Sequence, residues 1–190
     1  MDRAQAFLFD LDGTLVDSVY QHVLAWRDAL NHLGIDLSVW RIHRKVGMSG
    51  GLFANALLRE TGREVTREQA AELRRLHAVA YAEHVKDVRP LPGARELLTY
   101  LTDVGVPWAI ATSGYRESDG PALEMLEIPP GVPLITRDLV EHAKPDPDLF
   151  LAAVAAMGAE PANSVAFEDS THGARAAVDA GLFCVVAPSD

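Results

Sequence analysis

The chain has 190 residues, of which 48% are hydrophobic, and its 17 basic and 27 acidic side chains give a net charge of −10. This length fits one domain with room for an inserted lobe, and the hydrophobic content can form a core, which excludes wholesale disorder. The acidic balance, without any run of Lys or Arg, argues against nucleic acid or an anionic membrane as a partner.

The N-terminal part of the chain predicts a strand and then a helix. The apolar run Ala6–Phe9 is followed by polar residues, which is typical of a buried strand that ends in a turn. Asp17 and Ser18 then offer an N-cap for a helix that ends at Gly34. Apolar residues recur in this helix at steps of three and four and give it one apolar face.

The next stretch shows helical patterns at 52–60 and 66–88 and no credible strand. It therefore predicts an inserted helical lobe over 17–88. Two prolines and a glycine in the segment 89–93 predict a hinge at the end of this lobe. Trp26 and Trp40 are expected to be core residues.

Helices and strands alternate over the rest of the chain. The predicted helices cover 93–104, 121–126, 147–157 and 171–180. The predicted strands cover 107–112, 132–135, 164–167 and 182–187. Strands separated by such helices form right-handed βαβ units in a parallel sheet, which binds ligands at the carboxyl ends of its strands. We therefore predict an α/β fold.

The sequence indicates no targeting or export signal. Cys184 is the only cysteine, so an intrachain disulfide is impossible and an oxidising compartment is not indicated. Asp10 and Asp12 interrupt the apolar stretch near the N-terminus, which therefore predicts neither a signal peptide nor a membrane span. We expect a cytoplasmic protein.

Polar residues follow the strands that should form the centre of the sheet. They are Asp10 and Asp12, Thr112 and Ser113, and Glu168 and Asp169. Lys144 lies in the loop after the short strand 132–135, and Pro145 favours an extended conformation there. Because these loops follow parallel strands, we expect the side chains to converge on one crevice.

Phosphoryl transfer suits this set of side chains. Several carboxylates repel one another unless a hard divalent cation lies among them, and an oxygen site suits Mg²⁺. A carboxylate can attack phosphorus to form an aspartyl-phosphate, while a lysine, a hydroxyl and backbone amides neutralise the phosphoryl oxygens. Asp10 and Asp12 are two residues apart, so one can attack while the other transfers protons. Gly13 and Gly114 let backbone amides approach a phosphate.

In the predicted helical lobe, His22 and the glycine-rich loop 47–51 are two further candidates for substrate contact. His22 lies one step off the apolar face of its helix, although a surface position would also explain it. His77 lies in a charged helix and is expected at the surface. The glycine-rich loop 47–51, which includes Gly50, is either a plain connection or a flexible element that faces the crevice.

In combination, these motifs resemble those of the haloacid dehalogenase-like hydrolase superfamily over nearly the whole chain. The segment 10–18, which reads DLDGTLVDS, is similar to the first motif of that family, and 110–114 to the second. The third motif resembles 143–150, and the fourth resembles 167–181.

The resemblance implies a role for most of these residues. Asp10 would be the nucleophile, and Asp12 the general acid and then the general base. Thr112 and Lys144 would bind the phosphate. Mg²⁺ would be held by Asp10, the Asp12 carbonyl and Asp169, with assistance from Glu168.

The resemblance also implies the domain organisation. Residues 1–16 and 89–190 would form a Rossmann-like core domain, and 17–88 would form a helical cap domain. The cap would close over the crevice to exclude water and admit only small substrates.

Departures from related branches narrow the expected reaction. Dehalogenating members lack the second aspartate, so Asp12 indicates phosphoryl chemistry. The β-phosphoglucomutase branch carries an arginine at the position of Gly50 and a lysine at about the position of His77. Because this sequence lacks both cations, a sugar phosphomutase is the alternative rather than the first choice. We expect a Mg²⁺-dependent phosphatase that acts on a small phosphorylated metabolite through an aspartyl-phosphate.

An alternative from a different class is a receiver-like phosphoacceptor, which also uses acidic residues, a hydroxyl, a lysine and Mg²⁺. The predicted helical insertion argues against it. The order of the motifs also argues against it, because the last carboxylates follow Lys144 in this sequence.

Overall fold

The computed structural model describes residues 6–45, 48, 50–60, 62 and 66–187. Within these residues the strands are β1 (Ala6–Phe9), β2 (Val16–Asp17), β3 (Arg89–Pro90), β4 (Trp108–Ala111), β5 (Leu134–Ile135), β6 (Ser164–Glu168) and β7 (Phe183–Val186). The α-helices are α1 (Val19–His32), α2 (Val39–His43), α3 (Gly50–Glu60), α4 (Arg67–His84), α5 (Ala94–Asp103), α6 (Arg116–Met125), α7 (Asp148–Met157) and α8 (Thr171–Asp179).

Five strands form a parallel sheet in the order β5-β4-β1-β6-β7. The register pairs Phe9 at the end of β1 with Ile110 of β4 and with Phe167 of β6. The predicted α/β fold with a parallel sheet is therefore confirmed. Because β1 lies between β4 and β6, the loops that follow these three strands leave the sheet side by side.

Alternating residues of β1 supply the cores on the two faces of the sheet. Leu8 packs in a cluster with residues of α7 and α8, among them Phe150 and Ala177. Phe9 packs in a second cluster with residues of α5 and α6, among them Leu98 and Leu123. The sheet is thus covered by helices on both faces, as expected for parallel strands.

Helices α1 to α4 have a separate core. It is formed by residues such as Leu30 of α1, Leu57 of α3 and Leu73 of α4, all of which are fully buried. These helices lie in sequence between β2 and β3, where the sequence predicts an inserted helical lobe.

The structure differs from the sequence prediction at three places around these helices. The predicted hinge at 89–93 contains β3, which pairs antiparallel with β2, so that Asp17 is a strand residue. A strand of two residues leaves no periodic pattern in the sequence, and proline is usually taken as evidence against a strand. Helix α2 was not predicted because five residues are too few to show a helical period. Trp40 is 67% exposed rather than buried, and it stacks on His43.

Helix α6 also begins earlier than predicted. It starts at Arg116, and Pro121 lies inside it. A proline is most frequent in the first turn of a helix, which is why the sequence places the start at Pro121. Residues 116–120 are therefore helical, and their side chains have to be considered at the site.

Among the described residues, no helix has both the length and the apolar character needed to cross a bilayer.

We expect Leu30→Ala to destabilise the protein by about 3 kcal/mol, because it removes a fully buried side chain from the core of α1 to α4. Val79→Ala on α4 is the matched control, because Val79 is exposed, and should change the free energy of unfolding by less than about 0.5 kcal/mol. Urea unfolding followed by circular dichroism measures both. Equal effects of the two substitutions would contradict this description of the helical core.

Candidate active site

The carboxyl ends of the three central strands bring the predicted polar residues together. Asp10 follows β1, Thr112 follows β4, and Glu168 ends β6. All three side chains are buried. They lie on one edge of the sheet because the strands are parallel and adjacent.

Lys144 reaches this edge from the loop that precedes α7. Its ammonium donates hydrogen bonds to Asp10 Oδ1 and, at 2.6 Å, to Glu168 Oε1. The side chain is 1% exposed, and Nζ lies 5.0 Å from the centre of the Phe150 ring. Burial lowers the pKa of Lys144, but the carboxylates of Asp10 and Glu168 raise it by more, so the ammonium is charged.

Glu168 is fully engaged by hydrogen-bond donors. Besides Lys144, the backbone amide and the hydroxyl of Ser170 both donate to Oε2 at 3.0 Å. Gly173 makes room for the carboxylate, because a Cβ atom at that position would lie 1.7 Å from Oε1. Glu168 therefore holds Lys144 in place and joins it to the N-terminus of α8.

Asp10, Glu168 and Asp169 form a cluster that could hold a metal ion, because each offers an oxygen within 4.8 Å of the others. Burial and the charge of Glu168 raise the pKa of Asp10 well above its ordinary value, although Lys144 opposes this. A hard divalent cation would offset this repulsion, and carboxylate oxygens are its preferred ligands. The residues present therefore fit such an ion.

Gly13 is required for the turn that approaches this cluster. Its φ is +82°, in the left-handed region that favours glycine. A Cβ atom at Gly13 would lie 2.1 Å from Asp169 Oδ2. The turn after β1 and the end of β6 can meet closely because this residue has no side chain.

Asp12 is held from the α1 side. Ser18 donates its hydroxyl to Asp12 Oδ1 at 2.5 Å, and His22 Nε2 lies 3.3 Å from the same atom. Burial raises the pKa of Asp12, but His22 and Ser18 lower it by more, to below its ordinary value. Burial lowers the pKa of His22, and Asp12 raises it by more, to above its ordinary value. The proton between the two side chains therefore resides mainly on His22.

His77 is only partly exposed and lines the cavity, whereas the sequence predicted an ordinary surface position. Its Nε2 lies 3.3 Å from His22 Nδ1, and its ring stacks on Trp26 with centroids 3.9 Å apart. Burial and the neighbouring His22 lower the pKa of His77 well below its ordinary value, so the ring is neutral. Tyr81 stacks on His22 at the same distance. The helical pattern of α4 could not show that this face meets α1 and the catalytic edge.

The first turn of α6, next to the loop after β4, contains an acidic residue that the sequence did not reveal. Thr112 Oγ1 donates to Asp119 Oδ2 at 3.1 Å and accepts from the amide of Gly114 at 3.0 Å. Gly114 also leaves space for Asp119, since a Cβ at this position would lie 1.9 Å from Oδ2. The binding of a phosphate by this amide stays a prediction. Ser113 Oγ is buried without a hydrogen-bond partner. Asp119 was missed because the start of α6 was placed after it.

A cavity of about 470 Å³ lies above these groups. On the sheet side it is lined by Asp10, Asp12, Ser113, Gly114 and Asp119. On the opposite side it is lined by one face of α4, with Arg74, His77, Ala78, Tyr81 and Ala82, and by Val85 just after this helix. Of the loop 47–51, Met48 lines the cavity and Gly50 begins α3, whereas Gly47 and Ser49 lie outside the described residues.

Comparison with known proteins identifies the family. The haloacid dehalogenase-like hydrolase family matches residues 4–181. The chain belongs to this family. It is 32% identical to hexitol phosphatase A of Escherichia coli K12 over 99% of this chain and 86% of that protein. It is 28% identical to beta-phosphoglucomutase of Bacillus subtilis 168 over 95% of this chain and 82% of that protein.

A solved structure agrees with this assignment. A hydrolase from Pseudomonas syringae superposes with a TM-score of 0.91 at 45% identity and covers 96% of this chain and 84% of that chain. The family match and the phosphatases among its relatives show that this protein is an enzyme of the phosphatase type.

We expect Asp119→Asn to change the pH dependence of stability. Burial and the charge of Asp12 raise the pKa of Asp119 to about 7, whereas the unfolded chain loses this proton near pH 4. The folded protein binds the proton more tightly, so its stability falls as pH rises between these values. The stability of the asparagine variant relative to the unchanged protein should therefore increase by about 2 kcal/mol from pH 5 to pH 7 and then level off.

Urea unfolding at a series of pH values in EDTA measures this difference. Any change in hydrogen bonding that the amide causes adds an offset that is the same at every pH. A stability difference that does not vary between pH 5 and pH 7 would show that Asp119 titrates normally.

Proposed function

We propose that the protein is a Mg²⁺-dependent phosphomonoester hydrolase that acts on a small phosphorylated metabolite through an aspartyl-phosphate on Asp10. The observation that carries this proposal is the buried ammonium of Lys144, which lies between Glu168 and Asp10, the latter a residue that lines the cavity. A nucleophilic carboxylate and a fixed cation are what an attack on a dianionic phosphate requires.

Asp10 is the proposed nucleophile. It is buried at the floor of the cavity, and Lys144 fixes one of its carboxylate oxygens. The same ammonium lies where it can neutralise the phosphoryl oxygens during attack. The hydroxyls of Ser113 and Thr112 are the proposed further phosphate ligands. Ser113 Oγ has a free hydrogen-bonding capacity for this purpose, whereas Thr112 would have to turn its hydroxyl hydrogen from Asp119 to the phosphate.

The proposed metal ligands are Asp10, Asp169 and the backbone carbonyl of Asp12. Bound Mg²⁺ would supply positive charge to the phosphoryl oxygens and reduce the repulsion among the carboxylates. Glu168 is the least suited of the clustered carboxylates to bind the ion directly, because it already accepts three hydrogen bonds. Its proposed role is to hold Lys144.

Asp12 is the proposed general acid and then general base. His22 lies within hydrogen-bond distance and can hold the proton that Asp12 passes to the leaving alcohol. In the second step, Asp12 takes a proton from the water that attacks the aspartyl-phosphate. The ring of Tyr81 stacks on His22, and the hydroxyl of Ser18 donates to Asp12. These contacts fix the Asp12–His22 pair at one end of the cavity.

We further propose the domain division predicted from the sequence, with a core at 1–16 and 89–190 and a cap at 17–88. The separate hydrophobic cluster of α1 to α4 supports it. Residues from both sides line the cavity, so closure of the proposed cap would exclude water from the aspartyl-phosphate except for the attacking molecule.

Phosphate release from a panel of small phosphate esters tests the proposal. We expect turnover that is lost in EDTA and restored by Mg²⁺, and a loss of about a thousandfold or more in Asp10→Asn because the amide cannot attack phosphorus. Asp103→Asn is the control, since this exposed residue lies on α5. Turnover in Asp10→Asn close to that of the unchanged protein would reject the nucleophile.

Phosphomutase activity is the second candidate function, and Arg74 is the observation that favours it. Arg74 lines the cavity, and within the described ranges its guanidinium forms no ion pair with a carboxylate. Arg74 could therefore bind a second phosphate group, although Gly50 and His77 replace the two cations of the β-phosphoglucomutase branch. A mutase would isomerise a sugar phosphate in the presence of its bisphosphate faster than it releases inorganic phosphate, and the ratio of the two rates distinguishes the functions.

A further inference from the structure

Asp119 is a buried carboxyl at the cavity to which the proposed reaction assigns no role. It is 1% exposed, and it lies beside the loop that would bind the phosphate. Thr112 Oγ1 donates to one of its oxygens at 3.1 Å, and Ser118 Oγ donates to the other at 2.9 Å. The side chain is thus fixed in position by the two hydroxyls.

These two bonds leave the carboxyl incompletely satisfied. A carboxylate can accept about four hydrogen bonds, and Asp119 accepts two from side chains. No cation of the described residues lies within 4.0 Å of it, and it is not part of the Asp10–Glu168–Asp169 cluster. Burial of such a group is costly unless a partner compensates for it. A hydrogen-bond donor on the substrate would be such a partner.

The position of Asp119 indicates which part of the substrate it meets. Its carboxyl packs so closely on the backbone of Gly114 that a Cβ there would overlap it. It also accepts from Thr112, a proposed phosphate ligand. Groups attached close to the phosphorylated carbon would therefore lie against Asp119.

Aromatic rings form part of the lining of the cavity. The rings of Trp26, His77, His22 and Tyr81 stack in pairs with centroids 3.9 Å apart. Such faces pack well against the C–H groups of a carbon chain or a sugar ring. Arg74 is seven residues before Tyr81 on α4, about 10 Å along the helix axis, so it faces the far end of the cavity.

We propose that Asp119 is a specificity-determining residue that accepts a hydrogen bond from a hydroxyl or ammonium group next to the phosphorylated carbon. The enzyme then selects phosphates of polyols, sugars or amino alcohols over esters that lack this donor, and it rejects an anionic group at that place. This inference rests on the phosphatase function proposed above, because it concerns the leaving group of that reaction.

Three small esters test the proposal with Mg²⁺ present and at about pH 8, above the pKa of Asp119. They are glycerol phosphate, n-propyl phosphate, which lacks the hydroxyls, and phosphoglycolate, which carries an anion instead. We expect the unchanged protein to prefer glycerol phosphate over propyl phosphate by about tenfold or more in kcat/KM. Asp119→Ala should lower kcat/KM for glycerol phosphate about tenfold more than for propyl phosphate, and so remove most of this preference, whatever loss the two esters share through Thr112. Glu124→Ala is the matched control, because Glu124 is an exposed carboxylate on the same helix.

The outcomes separate this inference from the proposed function. An equal loss of kcat/KM for glycerol phosphate and propyl phosphate in Asp119→Ala would show that the carboxyl only orients Thr112. An unchanged preference would show that the carboxyl does not meet the substrate. Either result overturns this inference but not the phosphatase function. Absence of metal-dependent turnover of every ester by the unchanged protein would overturn the phosphatase function as well. If the alanine variant fails to fold, Asp119→Asn keeps an acceptor for Thr112 and should gain on phosphoglycolate while retaining the preference for glycerol phosphate.

Discussion

The buried ion cluster of Lys144 with Asp10 and Glu168 is the constraint on which the rest of the site depends. A charge at this depth is tolerated only when its partners are fixed, and removal of one partner would leave an uncompensated charge. The partners come from three places in the chain: the end of β1, the loop before α7 and the end of β6. The parallel order β4-β1-β6 and its register therefore have to be correct before the cluster can form.

Glycines allow the backbone to come as close as this cluster demands. Gly13 and Gly173 lie against Asp169 and Glu168, and a Cβ at either position would overlap the carboxylate. The same principle applies one strand away, where Gly114 accommodates Asp119. Glycines after β1, after β4 and on α8 thus make room for carboxyl groups, which brings negative charge close to where a phosphate and its cation would bind. Asp12 and His22 then connect this edge to α1 and α4.

The alternation of apolar strands and helices was enough to predict the parallel sheet, and the polar residues after each strand were enough to select Asp10, Thr112, Lys144 and Glu168. Features without a local pattern could not be predicted. The two-residue strands β2 and β3 and the short α2 show no period. Asp119 looked like part of a loop because Pro121 suggested a later helix start. The stacking of His77 on Trp26 and the exposure of Trp40 depend on tertiary packing, which a helical pattern does not specify.

Trapping of the phosphorylated enzyme tests the central claim most directly. Asp12→Asn should slow the attack of water on the aspartyl-phosphate, and acetyl phosphate has a leaving group that needs no general acid. After a short incubation with acetyl phosphate and Mg²⁺ and an acid quench, we predict a phosphoryl group on the peptide that contains Asp10, as measured by mass spectrometry. The double variant with Asp10→Asn should carry none. A phosphoryl group on another residue, or an unmodified chain that still releases phosphate, would contradict covalent catalysis by Asp10.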